Sequence, residues 1–529
     1  MGNTNMTPKS KKLGHQILGE TLAKANLSSN KDVIRSADID RTTRERLVRA
    51  GYLEEVVRGW YLLTNPAGKG TSTLWFSNYW EFAKQYLEDR FGADGYCLSP
   101  ESSLNLFSGQ GVISNQIVIL TKKTSNQVLN LPHDTSILFY TENKNFPKNL
   151  FKYEGLNTFP LAEAICRASP NFFIEQSLNA EICLKLIGSA AELSRVLLSQ
   201  SLVSAAARIS GAYQQLGDIK RAQQIIDDMA AAGRQISPVN PFEQNILCLK
   251  GIERLKSPYA GRIEALWHKM RDDVLANFPI NPDFDDKTLL TIMDRLYRED
   301  TYHSLSIEGY QLTEDLIERI KNGQWSPENI QTDSEQKNAL AAKGYLNAFK
   351  AVGESAKKVI VNKSDPAEVF SDDLQNWYRQ LFTPLAQAQL LRTEDLAGYR
   401  NNQVYINGSR HVPPPVGAVH DCMETLEKLL KNESSAAVKA ILGHFIFVYV
   451  HPYTDGNGRI ARFLMNLMFI TGGYNWTVIR ASERMKYIIA LEEASTKGNI
   501  IPFVNFLFSE MEHWAGTVKA IRESLEMPT

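Results

Sequence analysis

Apolar and polar positions follow two periods along this chain, one helical and one strand-like. Residues 1–12 are mainly polar and read as a disordered tail. From Leu13, "LGHQILGETLAKA" spaces its apolar residues at helical intervals. In "SSNKDVIRSADI", Ser29 or Asn30 offers the N-cap of a second helix. In "DIDRTTRERLVRAGYL" the signals are sharper: Asp40 caps, a helix runs from Arg41 to Ala50, and Gly51 ends it. "YLEEVVRGWYLLT" then reads as two short strands joined near Arg58–Gly59. Three helices and a hairpin in this order form the layout of a winged helix-turn-helix. Residues 66–235 mix strand-like runs ("NQIVILTKK", "TSILFYT") with helical ones ("EQSLNAEICLKLIG", "SLVSAAARISGAYQQLG", "IKRAQQIIDDMAAAG"). "RQISPVNPF", with two prolines and no periodicity, reads as a linker. Beyond Phe242 the pattern is helical, broken by one hairpin-like piece, "NNQVYINGSRHVPPP". The expected domains are a winged helix at 1–65, an α+β middle domain at 66–235, a helical linker at 236–290 and an all-α domain at 291–529. The expected fold class is mainly α.

Composition narrows the setting. The 529 residues suffice for about three domains. A net charge of −1 provides no global field for nucleic acid or membrane, so any such surface is local. The five cysteines include no CxxC pair, which argues against a disulfide framework or zinc site and fits a reducing compartment. "MGNTNMTPKSKKLG" has no apolar segment of a secretory signal, and no apolar run reaches the roughly 20 residues of a membrane span. The expectation is a cytoplasmic protein without a membrane partner.

The chemistry concentrates in "HPYTDGNGRIAR", His451 to Arg462, between the apolar run "ILGHFIFVYV" and a second helical pattern. The loop therefore lies at a helix N-terminus, where free N–H groups and the helix dipole favour anions. Gly456 and Gly458 allow close backbone approach, and with Asn457 their amides can form a nest for phosphate oxygens. Arg459 and Arg462 share one face of the first helical turn and suit a polyphosphate. Asp455 beside such a nest repels phosphate unless a cation intervenes, which points to Mg²⁺. His451 has the proton affinity of a general base near neutral pH. Together these indicate phosphate transfer from a nucleotide to a hydroxyl.

The loop resembles the Fic-domain signature HPFxDGNGRxxR at every fixed position but one, where Tyr453 replaces Phe. "YRNNQVYING" with "GSRHVPPP" resembles the β-hairpin flap that docks the target in that family, and "YIIALEEASTKGNIIPFVNFL" resembles its C-terminal helices. The likeness covers roughly residues 290–510. It implies an all-α Fic domain that transfers AMP from ATP to a Ser, Thr or Tyr hydroxyl of a protein, the chain itself included. By motif position it implies His451 as base, Asp455 as Mg²⁺ ligand, Gly456, Asn457 and Gly458 as the anion hole, and Arg459 and Arg462 on the β- and γ-phosphates. His444, one helical segment upstream, reads as a packing residue. A donor other than ATP stays open, since the loop reads phosphates and metal better than the base.

"HSLSIEGYQLT" resembles the inhibitory motif [S/T]xxxE[G/N] of Fic proteins, with Ser304, Glu308 and Gly309 in its fixed positions. The resemblance implies that Glu308 pairs bidentately with Arg462 and denies that guanidinium to the γ-phosphate. In some relatives this Glu also orients a water that removes AMP.

At the other end, Arg41, Arg44, Arg46 and Arg49 crowd one short helix and Arg58 sits at the hairpin tip, as DNA-contacting residues do. Asp38, Asp40, Glu45, Glu54 and Glu55 lie among them and leave a protein-docking wing as the other reading. The element order, "AGYLEEVVRGWYLL" and "GYCLSPESSLNLFSG" resemble the start of AbiE-type antitoxins. Two functions compete: a Glu308-restrained protein adenylyltransferase with a DNA-binding head, and a DNA-binding regulator whose Fic domain senses nucleotide without turnover. A homodimer is compatible with either.

Overall fold

The computed structural model describes residues 32–64, 72–122, 126–144, 146–251, 253–278, 286–325 and 333–526. The chain divides into two compact units, each assembled from separate stretches of sequence. The first comprises 1–103, 113–160 and 405–412, and the second comprises 104–112, 161–404 and 413–529.

In the first unit, β1 (Val33–Arg35), β3 (Trp60–Leu63) and β2 (Leu53–Val57) form an antiparallel sheet in that order. Helix α1 (Arg41–Arg49) starts at Asp40, whose carboxylate accepts from the Thr43 amide at 2.9 Å. It is pinned by Leu47, which is buried with Ile34, Ile39 and Leu53. Gly51 turns the chain at φ 77°. The helix expected after Ser29 or Asn30 is corrected: Val33 and Ile34 are β-branched, buried, and paired to β3. The first expected helix and both proposed caps lie outside the described residues. Helix α2 (Ser72–Phe91) is followed by a sheet ordered β4 (Tyr96–Leu98), β5 (Gln116–Thr121), β7 (Thr135–Thr141), β6 (Gln127–Leu131). β5 and β7 run parallel and carry the two strand-like runs read from sequence. A two-stranded ladder of β8 (Phe151–Tyr153) and β9 (Leu156–Thr158) completes the unit's sheets.

Residues 405–412 belong to this first unit. Arg410 donates to the Ile113 carbonyl at 3.0 Å and to Asn115, and the Gly408 amide donates to the Thr73 hydroxyl at 2.7 Å. The excursion turns at Gly408, φ 77°, and has a single bridge residue at His411 rather than two paired strands. Pro413, Pro414 and Pro415 follow and have no N–H for a ladder.

The second unit is helical. The boundary expected at 235 falls instead near 160, because the six helices between 161 and 231 pack with the later ones. Ile182, Leu249 and Ala265 share one small core, and Leu178 packs on the large one. The expected linker holds a core element, α3 (Pro258–Asn277), with Ile263, Trp267, Met270 and Val274 buried. Next come α4 (Tyr297–Ile307), α5 (Asp333–Ile360), α6 (Pro366–Gln387), α7 (Ala436–Val450), α8 (Asn457–Thr471), α9 (Arg484–Lys497) and α10 (Ile501–Glu526). α5 packs along α6, and α7 along α8. Helix α7 is apolar on every side and buried almost throughout, as a central helix must be. Among the described residues no helix is long and apolar enough to cross a membrane.

Candidate active site

The loop of interest joins two helices buried along most of their length. α7 starts at Ser435, whose hydroxyl accepts from the Val438 amide at 3.3 Å, and it ends at His451. His451 takes the left-handed conformation, φ 52° and ψ 59°, which residues other than glycine seldom adopt. Its Nδ1 lies 3.1 Å from the Val448 carbonyl. A carbonyl only accepts, so Nδ1 carries the proton and Nε2 keeps its lone pair. Burial pushes the histidine's proton affinity down, the Val448 bond opposes this, and the positive charge of Arg400 adds to the lowering. His451 thus stays neutral and able to take a proton.

Tyr453 and Asn457 brace the loop from within. The Tyr453 amide donates to the Asn457 side-chain carbonyl at 2.9 Å, and the Asn457 amide group donates back to the Tyr453 carbonyl at 2.8 Å. The Tyr453 ring stacks on Tyr378 with centroids 3.8 Å apart, and its hydroxyl donates to Gln375 at 3.2 Å. The departure from Phe therefore keeps the packing and gains a bonded hydroxyl. Gly456 opens α8 at φ 82°, and a Cβ there would lie 2.6 Å from the Phe382 ring. A Cβ on Gly458 would lie 2.6 Å from Glu308 Oε1 and 3.2 Å from Arg462 Nη1. One glycine is required by conformation and contact, the other by contact alone.

Arg459 is 1% exposed, beside Asp455 at 3.1 Å and between the rings of Phe382 and Tyr310, 4.9 and 5.5 Å from its guanidinium carbon. Apart from the ion pair with Asp455, its guanidinium nitrogens make no well-formed hydrogen bond among the described residues. Buried N–H groups left this way are costly unless a ligand completes them. Arg462 is likewise buried. It donates from Nε to the Ser304 hydroxyl and from Nη2 to the Ser304 carbonyl, both at 3.0 Å, and from Nη2 to Glu308 Oε1 at 2.8 Å, while among the described residues Nη1 has no hydrogen-bond partner. Despite burial, which works the other way, Glu308 raises the proton affinity of Arg462. The expected bidentate pair is corrected: one guanidinium nitrogen meets one carboxylate oxygen, because Ser304 already engages Nε and shares Nη2.

Glu308 reaches this position from the end of α4. Gly309 ends that helix at φ 88°, and the Tyr310 amide returns to the Leu305 carbonyl at 3.1 Å. Arg484 of α9 caps the Ile307 carbonyl at 2.7 Å. Asp455 is half exposed, and its Oδ1 accepts from the Gly456 amide at 2.6 Å.

Sequence reasoning missed the residues around these groups. Asp300 is fully buried and accepts from the Tyr345 hydroxyl at 2.7 Å. Burial pushes its carboxyl up to about 6, against the opposing pull of Tyr345 and Arg462. Phe382, Tyr345 and Tyr378, which carry only helical spacing, also line the site, as do Tyr310 and Arg400, which lie in "HSLSIEGYQLT" and "YRNNQVYING" but at positions given no role. His444 is a buried histidine whose Nε2 lies 3.0 Å from the Tyr487 hydroxyl. Burial and the nearby Arg462 lower it to about 3. The arginines expected on DNA lie in the other unit. Arg46, Arg49 and Arg58 are exposed, Arg41 pairs with Glu45 at 2.6 Å, and Arg44 leans over Tyr61 and toward the Ser36 carbonyl.

Residues 369–469 match the model of the Fic/DOC family, so the chain carries a Fic domain there. It is 30% identical over 219 residues to "Protein adenylyltransferase Fic" of Drosophila melanogaster, covering 40% of each chain. It is 40% identical over 113 residues to the protein of that name in Drosophila ananassae, covering 21% of this chain and 22% of that one. The chain thus spans about 40% or less of the length of these curated relatives. Among solved structures, Fic-1 (aa134–508) of C. elegans aligns at 17% identity and TM-score 0.36, over 69% of this chain and 97% of that one.

Proposed function

We propose that the second unit transfers AMP from ATP to a Ser, Thr or Tyr hydroxyl of a protein, its own chain included, and that Glu308 restrains it. The observation that supports this most is the buried Arg459 guanidinium, paired to Asp455 at 3.1 Å but with Nε and Nη1 lacking a hydrogen bond among the described residues, beside Arg462, whose Nη1 lacks one there too, at the start of α8. Such a site calls for an anion with several oxygens, and a nucleotide's phosphates supply them. The proteins it resembles are named adenylyltransferases, which fits this reading.

In the proposed reaction the target hydroxyl oxygen attacks the α-phosphorus. The bond from that phosphorus to the β-phosphate oxygen breaks, and pyrophosphate leaves. Nε2 of His451 takes the hydroxyl proton. The Gly456, Asn457 and Gly458 amides hold phosphate oxygens, and Arg459 and Arg462 balance the β- and γ-phosphate charge. Positioning and charge stabilisation supply most of the acceleration. Asp455 suits Mg²⁺: it is half exposed, its second oxygen makes no hydrogen bond among the described residues, and Mg²⁺ usually takes few protein ligands. Bound there, Mg²⁺ would offset phosphate charge. Glu308 fills the space beside Gly458 and occupies Arg462, so ATP cannot seat its γ-phosphate fully. The same carboxylate suits ordering a water for hydrolytic removal of AMP. In the first unit, exposed Arg46, Arg49 and Arg58 support contact with DNA phosphates.

ATP labelled at the α-phosphate tests the reaction. Label should stay on protein, label at the γ-phosphate should not, and His451→Ala should lose about 10²–10⁴-fold in rate with ATP affinity within a few-fold. No transfer even from Glu308→Gly protein that binds ATP would leave the nucleotide sensor as the function.

A further inference from the structure

Arg400 has no role in the signature loop, yet it holds that loop. It is 5% exposed, and its guanidinium donates from Nε to the His451 carbonyl at 2.8 Å, from Nη1 to the Asn402 carbonyl at 3.0 Å and from Nη2 to the Pro414 carbonyl. Its backbone amide donates to the Pro452 carbonyl at 2.8 Å. Both carbonyls flanking the start of the loop, those of His451 and Pro452, are thus bonded to one residue. We propose that Arg400 is a positioning residue for His451, fixing the left-handed backbone at that residue and so the aim of its ring. This rests on the transferase reading given above.

Three observations support it. A non-glycine residue with positive φ persists only where its surroundings hold it: the His451 amide is held by the Phe447 carbonyl at the end of α7, at 3.0 Å, and its carbonyl is held by Arg400. The ring's own contact, Nδ1 to the Val448 carbonyl at 3.1 Å, is made from this turned backbone, and that contact selects the tautomer with a free Nε2. Finally, burying a guanidinium is costly, and a residue needed only for packing would be apolar. The planar fork of arginine matches three carbonyls in fixed directions, which a lysine ammonium does not. The other charged groups acting on His451 are Glu308 and Asp455. Neither of them holds its backbone.

The test uses the full chain carrying Glu308→Gly, with Arg400→Gln and Arg400→Lys added separately. Three quantities are read: self-labelling turnover, ATP dissociation constant, and the ¹⁵N spectrum of the His451 ring, assigned by its loss in His451→Ala. Both variants should lose roughly 10²-fold in turnover, the scale set by misplacing a catalytic group by about 1 Å. ATP affinity should stay within about threefold, because the arginines and amides on phosphate are untouched. The ring should pass from one tautomer, protonated at Nδ1, to a mixture of two. A single tautomer in both variants, or an ATP affinity that falls in step with turnover, overturns the proposal. So does failure of both variants to fold, which would make Arg400 structural. If the Glu308→Gly parent transfers no AMP, the transferase reading fails, while the tautomer spectrum still decides the role of Arg400.

Discussion

His451 shows how a single side chain is prepared by its neighbours. Its backbone is turned left-handed, its Nδ1 proton is directed to Val448, and burial disfavours its charged form. The sign of the last effect sets a pH dependence. An ordinary histidine loses its proton near pH 6.5, and a depressed value keeps the base neutral further into acid. Transfer by Glu308→Gly protein should therefore stay level down to about pH 6.5 and fall only below it. A rate profile whose acid limb lies at or above about pH 7 would contradict a buried, neutral base. Tyr453 departs from the Phe of the signature, yet its ring stacks on Tyr378 as an aromatic at that position can. Its bond to Gln375, 78 positions earlier, had no local signal.

The proposed control belongs to the element scale. Helix α4 presents Ser304 and Glu308 one turn apart, so both face Arg462 of α8. Glu308→Gly removes one of the guanidinium's three bonds and leaves the two to Ser304. Arg462 should then stay aimed while the space beside Gly458 opens. Turnover in self-labelling should rise by about 10²-fold, the scale of relieving a small misalignment, with a smaller change in ATP affinity. Arg462→Ala should cancel the gain. Glu308→Gly/Arg462→Ala should match Arg462→Ala alone, the non-additive outcome of two residues acting through one contact. Unchanged labelling in folded Glu308→Gly protein would reduce α4 to ordinary structure. Tyr310, on the same segment, lies over Arg459. The segment from Ser304 to Tyr310 thus touches both Arg459 and Arg462, which the motif alone did not indicate.

At the scale of the whole molecule, the units interleave in sequence. The first includes 405–412 and the second includes 104–112, so neither is a contiguous stretch to be cut out. DNA binding is therefore best tested on the full chain, at low salt first. With DNA carrying its preferred site, affinity should fall steeply as salt rises. Replacing Arg46, Arg49 and Arg58 together with Gln should flatten that slope by about 0.9 for each phosphate no longer neutralised. No retardation of DNA at low salt would leave the protein-docking reading of the head.

Sequence alone determined the pattern of residues that is local in the chain. The run from His451 to Arg462 is contiguous, so the residue types, the glycine positions and the spacing of the arginines could all be read from it. The cap at Asp40 and the end at Gly51 were legible for the same reason, since capping acts within one turn. Tertiary structure decided what depends on distant partners. Val33 and Ile34 became a strand because β3 was there to pair with them, and the helices of 161–231 joined the second unit because their apolar faces are buried there. It also placed Arg400 on the His451 carbonyl, Phe382 against Gly456 and Asp300 under Arg462. Those pairings join residues tens to more than a hundred positions apart. Backbone propensity and short-range spacing carry no record of them; burial and hydrogen-bond geometry in the folded chain do.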